Sequence, residues 1–441
     1  MNTNEIELYI HIPFCVRKCD YCDFLSGVYN EGIQKRYAKA LMTELRVMSS
    51  TFSDKVISSV YIGGGTPSWL NEDLMCEILG VVKKNYRLSR DCEVSIECNP
   101  GTMSQEKAAA YLEAGINRVS IGLQSANDDE LYLLGRVHTF DRFLTTYESV
   151  LSAGFRDINV DVMTGLPYQT IDKLTNTLKE VTMLRPTHIS AYSLIIEEGT
   201  KFYDRYKFDA VAQHAGMPTE YLPDDESNYN LYKFTQEYLA QKGYERYEIS
   251  NYCKDGAKCR HNVGYWNRVP YLGVGIGAAS LIDEHRTKND TDIYAYIEMA
   301  EKIADDPEFI RVIRRERIAE YNDALGLLKH NNPELSESEL ESQVVCRYNP
   351  ANTVFSPFWD EDVTLSRFDA MAEFMYLGLR QIEGVTREDF ENMFHQRIDA
   401  VYGPVMVDLK DQGLLNATEG RIWLTDLGLD VSNQVLAKFL L

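Results

Sequence analysis

From Ile6 to about residue 195, short β-branched runs alternate with longer amphipathic stretches. The runs Ile6–Ile12, Val56–Ile62, Glu93–Glu97, Arg118–Gly122, Asp157–Met163 and His188–Leu194 read as strands. Between them Gln34–Met48, Glu72–Tyr86, Gln105–Ala114, Phe140–Ala153 and Ile171–Leu184 carry apolar residues at helical spacing. Ser104 stands where a helix N-cap belongs, and Gly115 and Gly154 stand where C-caps belong. Strands separated by whole helices are joined by crossovers rather than hairpins, so neighbours run parallel. The expected fold class is therefore α/β on a parallel sheet, open or closed. Ligands of such sheets gather at the C-terminal ends of the strands.

Beyond residue 200 the pattern loosens. Asp225–Lys242 reads as a helix, followed by Tyr244–Ile249 and an aromatic- and Gly-rich tract from Tyr252 to Ser280. Residues 305–362 are dense in charge, with Arg311-Val312-Ile313-Arg314-Arg315-Glu316-Arg317 and the run 334–341. A solvated helical insertion explains them, and a partner-binding arm is the other reading. Residues 365–441 regain a compact pattern. Helices at Met371–Leu379 and near Glu388–Phe394, then Gly413–Leu415 with Arg421–Leu424 as a hairpin, suggest a small helical domain with a β-wing. The expected organisation is a barrel-type domain over 1–240, an extension over 241–304, the insertion over 305–362 and the helical/winged domain over 363–441.

Cys15, Cys19 and Cys22 form a C-x₃-C-x₂-C triad just after the first strand. One tight loop thus offers three thiolates and no fourth. A structural zinc site closes a tetrahedron of four ligands, and ordinary iron–sulfur clusters also take four cysteines. Three would leave one iron with an open position for a small molecule. Zinc and unrelated buried thiols are the other readings of this spacing. With nine cysteines and no basic, apolar leader in Met1-Asn2-Thr3-Asn4-Glu5, the chain reads as cytoplasmic. The net charge of −22 argues against a nucleic-acid surface, and no apolar run is long enough for a membrane span.

The remaining motifs fall at strand ends. Gly63-Gly64-Gly65-Thr66-Pro67 follows the second strand, and its glycines let backbone approach a ligand closely. Glu97 ends the third strand, Gln124 ends the fourth with Arg136 a dozen residues on, and Asp161 lies in the fifth. Singly, each would be a capping or surface polar group. Together with the cysteine triad they resemble the radical S-adenosylmethionine (SAM) superfamily. The likeness is to the branch containing oxygen-independent coproporphyrinogen III oxidase and the heme chaperone HemW. That resemblance implies a partial (β/α)₆ barrel with a small C-terminal helical/winged domain. It implies a [4Fe–4S] cluster on Cys15, Cys19 and Cys22, with SAM at the open iron. By the same resemblance Tyr9 lies beside the cluster, and Gly64, Gly65, Thr66 and Glu97 line the methionine moiety of SAM. Arg136 pairs with its carboxylate, and Gln124 and Asp161 hold ribose hydroxyls.

Two features discriminate within the branch. The oxidases it resembles carry a fourth cysteine two residues after the third, where this chain has Phe24. His261-Asn262-Val263-Gly264-Tyr265-Trp266 is an H-N-x-x-Y-W motif that resembles the chaperone signature. A neutral imidazole is a natural axial ligand for heme iron, so the resemblance assigns His261 to heme. The expectation is a chaperone that passes heme to acceptor proteins, among them respiratory, membrane-associated ones, with an electron donor for the cluster. Oxidative decarboxylation of coproporphyrinogen III is the enzymatic alternative. Gly273-Val274-Gly275-Ile276-Gly277-Ala278 fits a dinucleotide fingerprint, but no helical pattern follows it, so nucleotide binding is set aside.

Overall fold

The computed structural model describes residues 4–336, 340, 341 and 343–440. The first three residues, read above for a leader, and residues 337–339 of the charged run 334–341 lie outside them. At the centre are six parallel strands: β1 (Glu5–Ile12), β2 (Val56–Gly64), β3 (Leu88–Cys98), β4 (Arg118–Gln124), β5 (Asp157–Thr164) and β6 (His188–Ser193). They stand side by side in chain order. Helices α1 (Glu31–Ser49), α2 (Glu72–Asn85), α3 (Gln105–Glu113), α4 (Asp128–Leu133), α5 (Phe140–Ala153) and α6 (Ile171–Leu184) make the crossovers. The α/β class and the parallel sheet expected from the alternation are what the structure has, with the C-terminal domain appended.

The local chemistry of the caps is as the sequence implies. The Ser104 side chain accepts from the Lys107 N–H, and Gly154 closes α5 in the left-handed region at φ +117°. The sheet's two faces differ sharply. Leu8, Ile10, Ile12, Val60, Ile62, Val94, Ile96, Val119, Ile121, Ile158, Val160 and Ile189 belong to one large core under the helices. The alternate positions carry Glu7, Tyr9 and His11 on β1, Ser59 and Tyr61 on β2, and Glu93, Ser95 and Glu97 on β3. Arg118, Ser120, Asn159, Asp161, His188 and Ser190 continue that polar face. A parallel sheet covered by helices on both sides reads as unbroken apolar runs. Alternation here means that one face, left uncovered by the crossover helices, carries polar side chains.

The polar face is concave. Helix α9 (Arg260–Trp266), with Cys259 before it, reaches Glu93 of β3, Ser59 of β2 and, through the Tyr247 hydroxyl, His188 of β6. One short segment can touch both the first and last thirds of a six-stranded sheet because the sheet curls around it. The helices preceding it are α7 (Lys201–His214) and α8 (Asp225–Gln241), and α10 (Ile293–Asp305) follows later in the chain.

The sheet also extends beyond the six strands. β8 (Asn251–Cys253) adds antiparallel to β6, and β7 (Glu245–Arg246) pairs antiparallel to β8 at the edge. On the other edge β9 (Tyr271–Val274) runs parallel to β1, followed by antiparallel β10 (Ala279–Ile282), β11 (His285–Asn289) and β12 (Trp359–Thr364). β12 revises the reading of 305–362 as a purely helical, solvated insertion. That segment contains helix α11 (Phe309–Asn331), but it ends as a strand of the main sheet. Arg317 of α11 is buried and donates to the Ser356 and Pro357 carbonyls at 2.9 and 2.7 Å, fastening the helix to the approach of β12. The acid run Asp360-Glu361-Asp362 hid the strand. Asp362 is in fact buried, accepting from the Asn349 N–H at 2.8 Å. After it come helices Arg367–Gly378, Arg387–Phe394 and Ile398–Asp411, and a small sheet of Val385–Thr386, Arg421–Leu424 and Leu415–Ala417, around their own core. Among the described residues no helix is long and apolar enough to cross a membrane.

Candidate functional site

The cysteine loop is pinched at its base. The Cys15 N–H donates to the Gly27 carbonyl at 2.9 Å, and the Gly27 N–H to the Pro13 carbonyl at 2.8 Å. Inside that pinch Cys15, Cys19 and Cys22 are half-buried free thiols. They line a single cleft together with Gly64, Gly65, Thr66, Glu97, Asn99, Gln124, Arg136 and Asp161. Residues separated by up to 146 positions are thus brought to the C-terminal ends of β1 to β5, where a parallel sheet places its ligands.

The glycines allow the close fit between strand β2 and the loop. Gly64 has φ +118°, and a Cβ there would lie 2.5 Å from the His11 ring. A Cβ on Gly65 would lie 2.9 Å from the Phe14 carbonyl oxygen and 3.0 Å from the Cys15 sulfur. The Thr66 hydroxyl points at that same sulfur at 3.6 Å.

Glu97 accepts from the Tyr61 hydroxyl and the Gly64 N–H, each at 3.0 Å. Burial, reinforced by the charge of Asp161, pushes its carboxyl from the usual 4.5 up to about 7. Asp161 accepts from the Asn159 amide at 2.7 Å and from Ser120 at 3.3 Å, and burial raises its carboxyl as well. Two half-buried carboxylates therefore face the cleft. Across it stands Arg136. Its Nη2 donates to Asn99 Oδ1 and to the Gly122 carbonyl, both at 2.6 Å, and its Nη1 lies 3.5 Å from the Cys19 sulfur. Its Nε is buried without a protein partner. Gln124 sits at a register shift between β4 and β5 and has φ +74°. A non-glycine residue held there is strained, and the bulge aims its side chain into the cleft.

Tyr9 lies deeper. Its hydroxyl is 3.0 Å from His11 Nδ1, and His11 Nε2 is 2.8 Å from the Leu25 carbonyl of the cysteine loop. Tyr9 thus reaches the loop through His11. Asn99 escaped the sequence reading, although Glu97-Cys98-Asn99-Pro100-Gly101 marks a strand end. It bridges Arg136 to Thr66, whose hydroxyl accepts from its Nδ2 at 2.7 Å.

Among the described residues no three His, Cys, Asp or Glu side chains stand drawn together as a ready-made metal site. The donor set nevertheless suits an iron–sulfur cluster with one open iron: three thiols on one loop, glycines in contact with it, and a buried guanidinium nitrogen still lacking an acceptor.

His261 is elsewhere. It belongs to α9, packed on the polar face at the level of the middle of β2, where its ring is 1 % exposed. Its Nδ1 lies 2.8 Å from the Ser59 hydroxyl, and the ring stacks on Tyr61 at 5.2 Å and meets Tyr265 edge-on at 4.7 Å. Ser59 is five residues before Gly64 on β2, about 16 Å along the strand. The structure therefore brings together Cys15, Cys19, Cys22, Gly64, Gly65, Thr66, Glu97, Gln124, Arg136 and Asp161, and sets His261 below them, with Tyr61 between it and Glu97.

The sequence profile of the Radical SAM superfamily matches residues 9–181, and that of the HemN C-terminal domain matches residues 365–431. The chain is 30 % identical over 434 residues to the heme chaperone HemW of Bacillus subtilis, covering 98 % of both chains. It is 35 % identical over 274 residues to the heme chaperone HemW of Escherichia coli, covering 62 % of this chain and 69 % of that relative. Among solved structures, the radical SAM enzyme coproporphyrinogen III oxidase (HemN) of Escherichia coli superposes with a TM-score of 0.74. It does so at 19 % identity, covering 99 % of this chain and 90 % of that one.

Proposed function

The chain belongs to the HemW family of heme chaperones, and on that footing we propose that it binds heme and hands it to acceptor heme proteins. The reading gives a [4Fe–4S] cluster to Cys15, Cys19 and Cys22 and places SAM in the cleft beside it. A reduced cluster of this kind supplies an electron to the sulfonium of SAM. The protein's own part is binding and orientation. Glu97, already poised near neutrality, accepts the ligand's ammonium beside the Gly64–Gly65 backbone. Arg136 turns its free Nε and fork toward the carboxylate. Gln124 and Asp161 face the sugar hydroxyls. Tyr9, through His11, steadies the loop. His261 would hold heme iron through its imidazole once α9 has parted from Ser59 and Tyr61.

The acceptors are respiratory, membrane-associated heme proteins, and a separate electron donor serves the cluster. The observation that carries the reading is the end-to-end likeness to the Bacillus relative, coupled with three thiols and a half-buried arginine lining one cleft. Phe24, where the oxidases carry their fourth cysteine, weighs against the enzymatic alternative.

The test is an anaerobic heme titration of cluster-reconstituted protein, followed at the Soret band, with wild type beside His261→Ala. Saturation near one heme per chain, lost or shifted in the variant, is the expected result. Efficient conversion of coproporphyrinogen III to protoporphyrinogen IX by the same preparation, with SAM and reductant, would replace the chaperone reading with the oxidase.

A further inference from the structure

Strand β4 opens on Arg118 and closes on Gln124, and its inward side chains line two spaces, not one. Beside the cysteine cleft lies a second cavity of 360 Å³, which shares Glu97, Gln124 and Asp161 with it. Its other walls include Tyr61, Met163, Tyr192 and Leu194, together with Asn262 of α9 and Arg118 itself. Phe24 and Ile195, both largely exposed, mark where it opens to solvent.

Arg118 is 2 % exposed, yet among the described residues nothing accepts a hydrogen bond from it. Its Nε is buried without a partner, and the one carboxylate within reach, Asp157, stands 3.6 Å from that nitrogen. The acids whose charge it feels are engaged elsewhere. Glu93 accepts from the Arg260 and His261 N–H groups at 2.9 and 3.3 Å, and Asp157 from the Thr187 hydroxyl at 3.0 Å. They balance the guanidinium's charge but leave its donors unmet. A buried donor without an acceptor costs about 1–3 kcal/mol, so folded proteins seldom keep one without a use.

A planar fork of N–H groups matches a carboxylate, which accepts two of them side by side. The walls narrow the choice further. Glu97 and Asp161 disfavour a doubly charged phosphate, while Tyr61, Met163, Tyr192 and Leu194 offer surface to an apolar body. We propose that this cavity is a second ligand site, in which Arg118 holds the carboxylate of an organic ligand whose apolar body lies beside the SAM cleft. Asn262 brings the H-N-x-x-Y-W helix to the same site, although its neighbour His261 is packed away from it. The site depends neither on His261 nor on the chaperone reading. Two sources supply such a group: a free small carboxylate, or a propionate arm of heme.

The probe is phenylpropionate, with its uncharged amide as control, titrated calorimetrically into full-length, cluster-reconstituted protein. Wild type is expected to bind the acid saturably and the amide about ten- to a hundredfold more weakly. Arg118→Lys keeps the charge and loses the fork, and should weaken the acid by about tenfold. Arg118→Met should abolish the preference for acid over amide. Equal binding of acid and amide by wild type, or no saturable binding of the acid, overturns the proposal even where neither variant folds. A folded Arg118→Met that still prefers the acid overturns it as well. Competition then identifies the source. Displacement of the probe by heme, and not by heme dimethyl ester, assigns the site to a propionate. Displacement by neither assigns it to a free carboxylate. Displacement by both means that the cavity selects apolar bodies whatever their charge, and the proposal fails.

Discussion

Arg136 is fastened to the end of β3 by Asn99, which accepts from Nη2 at 2.6 Å while donating to the Thr66 hydroxyl at 2.7 Å. One amide thus holds a cation, a loop hydroxyl and, through Arg136, the neighbourhood of Cys19. Asn99→Ala removes a hydrogen bond to a charged group, worth about 1.5–3 kcal/mol, and leaves the Arg136 Nη2 held by the Gly122 carbonyl alone. SAM binding, measured by equilibrium dialysis on reconstituted protein, is expected to weaken by about ten- to a hundredfold. Iron content should stay near wild type, because all three thiols remain.

Removing a thiol has the opposite signature. With one of three ligands missing, Cys19→Ala cannot hold the cluster, and the broad absorbance near about 400 nm of a protein-bound iron–sulfur centre should disappear along with the iron. The variant should still fold, since Cys19 is half-buried in a loop whose base is closed by backbone hydrogen bonds of Cys15 and Gly27. Full iron content in Cys19→Ala would refute the cluster assignment.

The central sheet was legible because its two faces alternate so strictly. Ile6, Leu8, Ile10 and Ile12 announce β1 wherever they are read, and the helices between strands carry their own caps. The edges were not. β12 is written in acidic residues, and it forms because β11 offers an open edge and Asp362 finds the Asn349 and Asn352 amides. The short helix α4 and the helix α7 lack a clean apolar stripe. The cleft was readable residue by residue, since each of its side chains ends a strand. What could not be read was depth. Nothing in the order of letters says that His261 lies beneath Tyr61 and Cys15 at the mouth, because that follows from where α9 threads under the curled sheet.

Glu97 makes the ligand-free protein sensitive to pH. An unfolded carboxyl ionises near 4.5 and the folded one near 7, so the native chain holds an extra proton between those values. Stability therefore falls as pH rises through that window and levels off above it. The shift corresponds to about 3 kcal/mol. Urea unfolding across pH 4.5–8 should show Glu97→Gln gaining on wild type by that order as pH rises, while losing affinity for SAM. SAM's ammonium should narrow the gap, because a cation beside Glu97 favours its ionised form.

Two glycine-to-alanine changes in helices should move stability in opposite directions. Gly80 lies within α2, and a Cβ there would meet nothing within 4 Å. Helix propensity then decides, and Gly80→Ala should stabilise by about 0.5–1 kcal/mol in urea unfolding. Gly264 is also helical, in α9, so propensity alone would favour alanine there as well. Its Cβ would run into Glu7, whose carboxylate is held by Ser59 on one side and enclosed by α9 on the other. Overpacking of that kind costs about 1–3 kcal/mol, which outweighs the propensity gain. Gly264→Ala should therefore destabilise the chain and loosen α9 from the strands, with a changed Soret band on heme titration. All three thiols remain, so cluster absorbance should be untouched, while SAM affinity should change only as far as Tyr61, which stacks on His261 and donates to Glu97, shifts with α9. Loss of both together would mean that α9 and the mouth of the barrel are one cooperative unit.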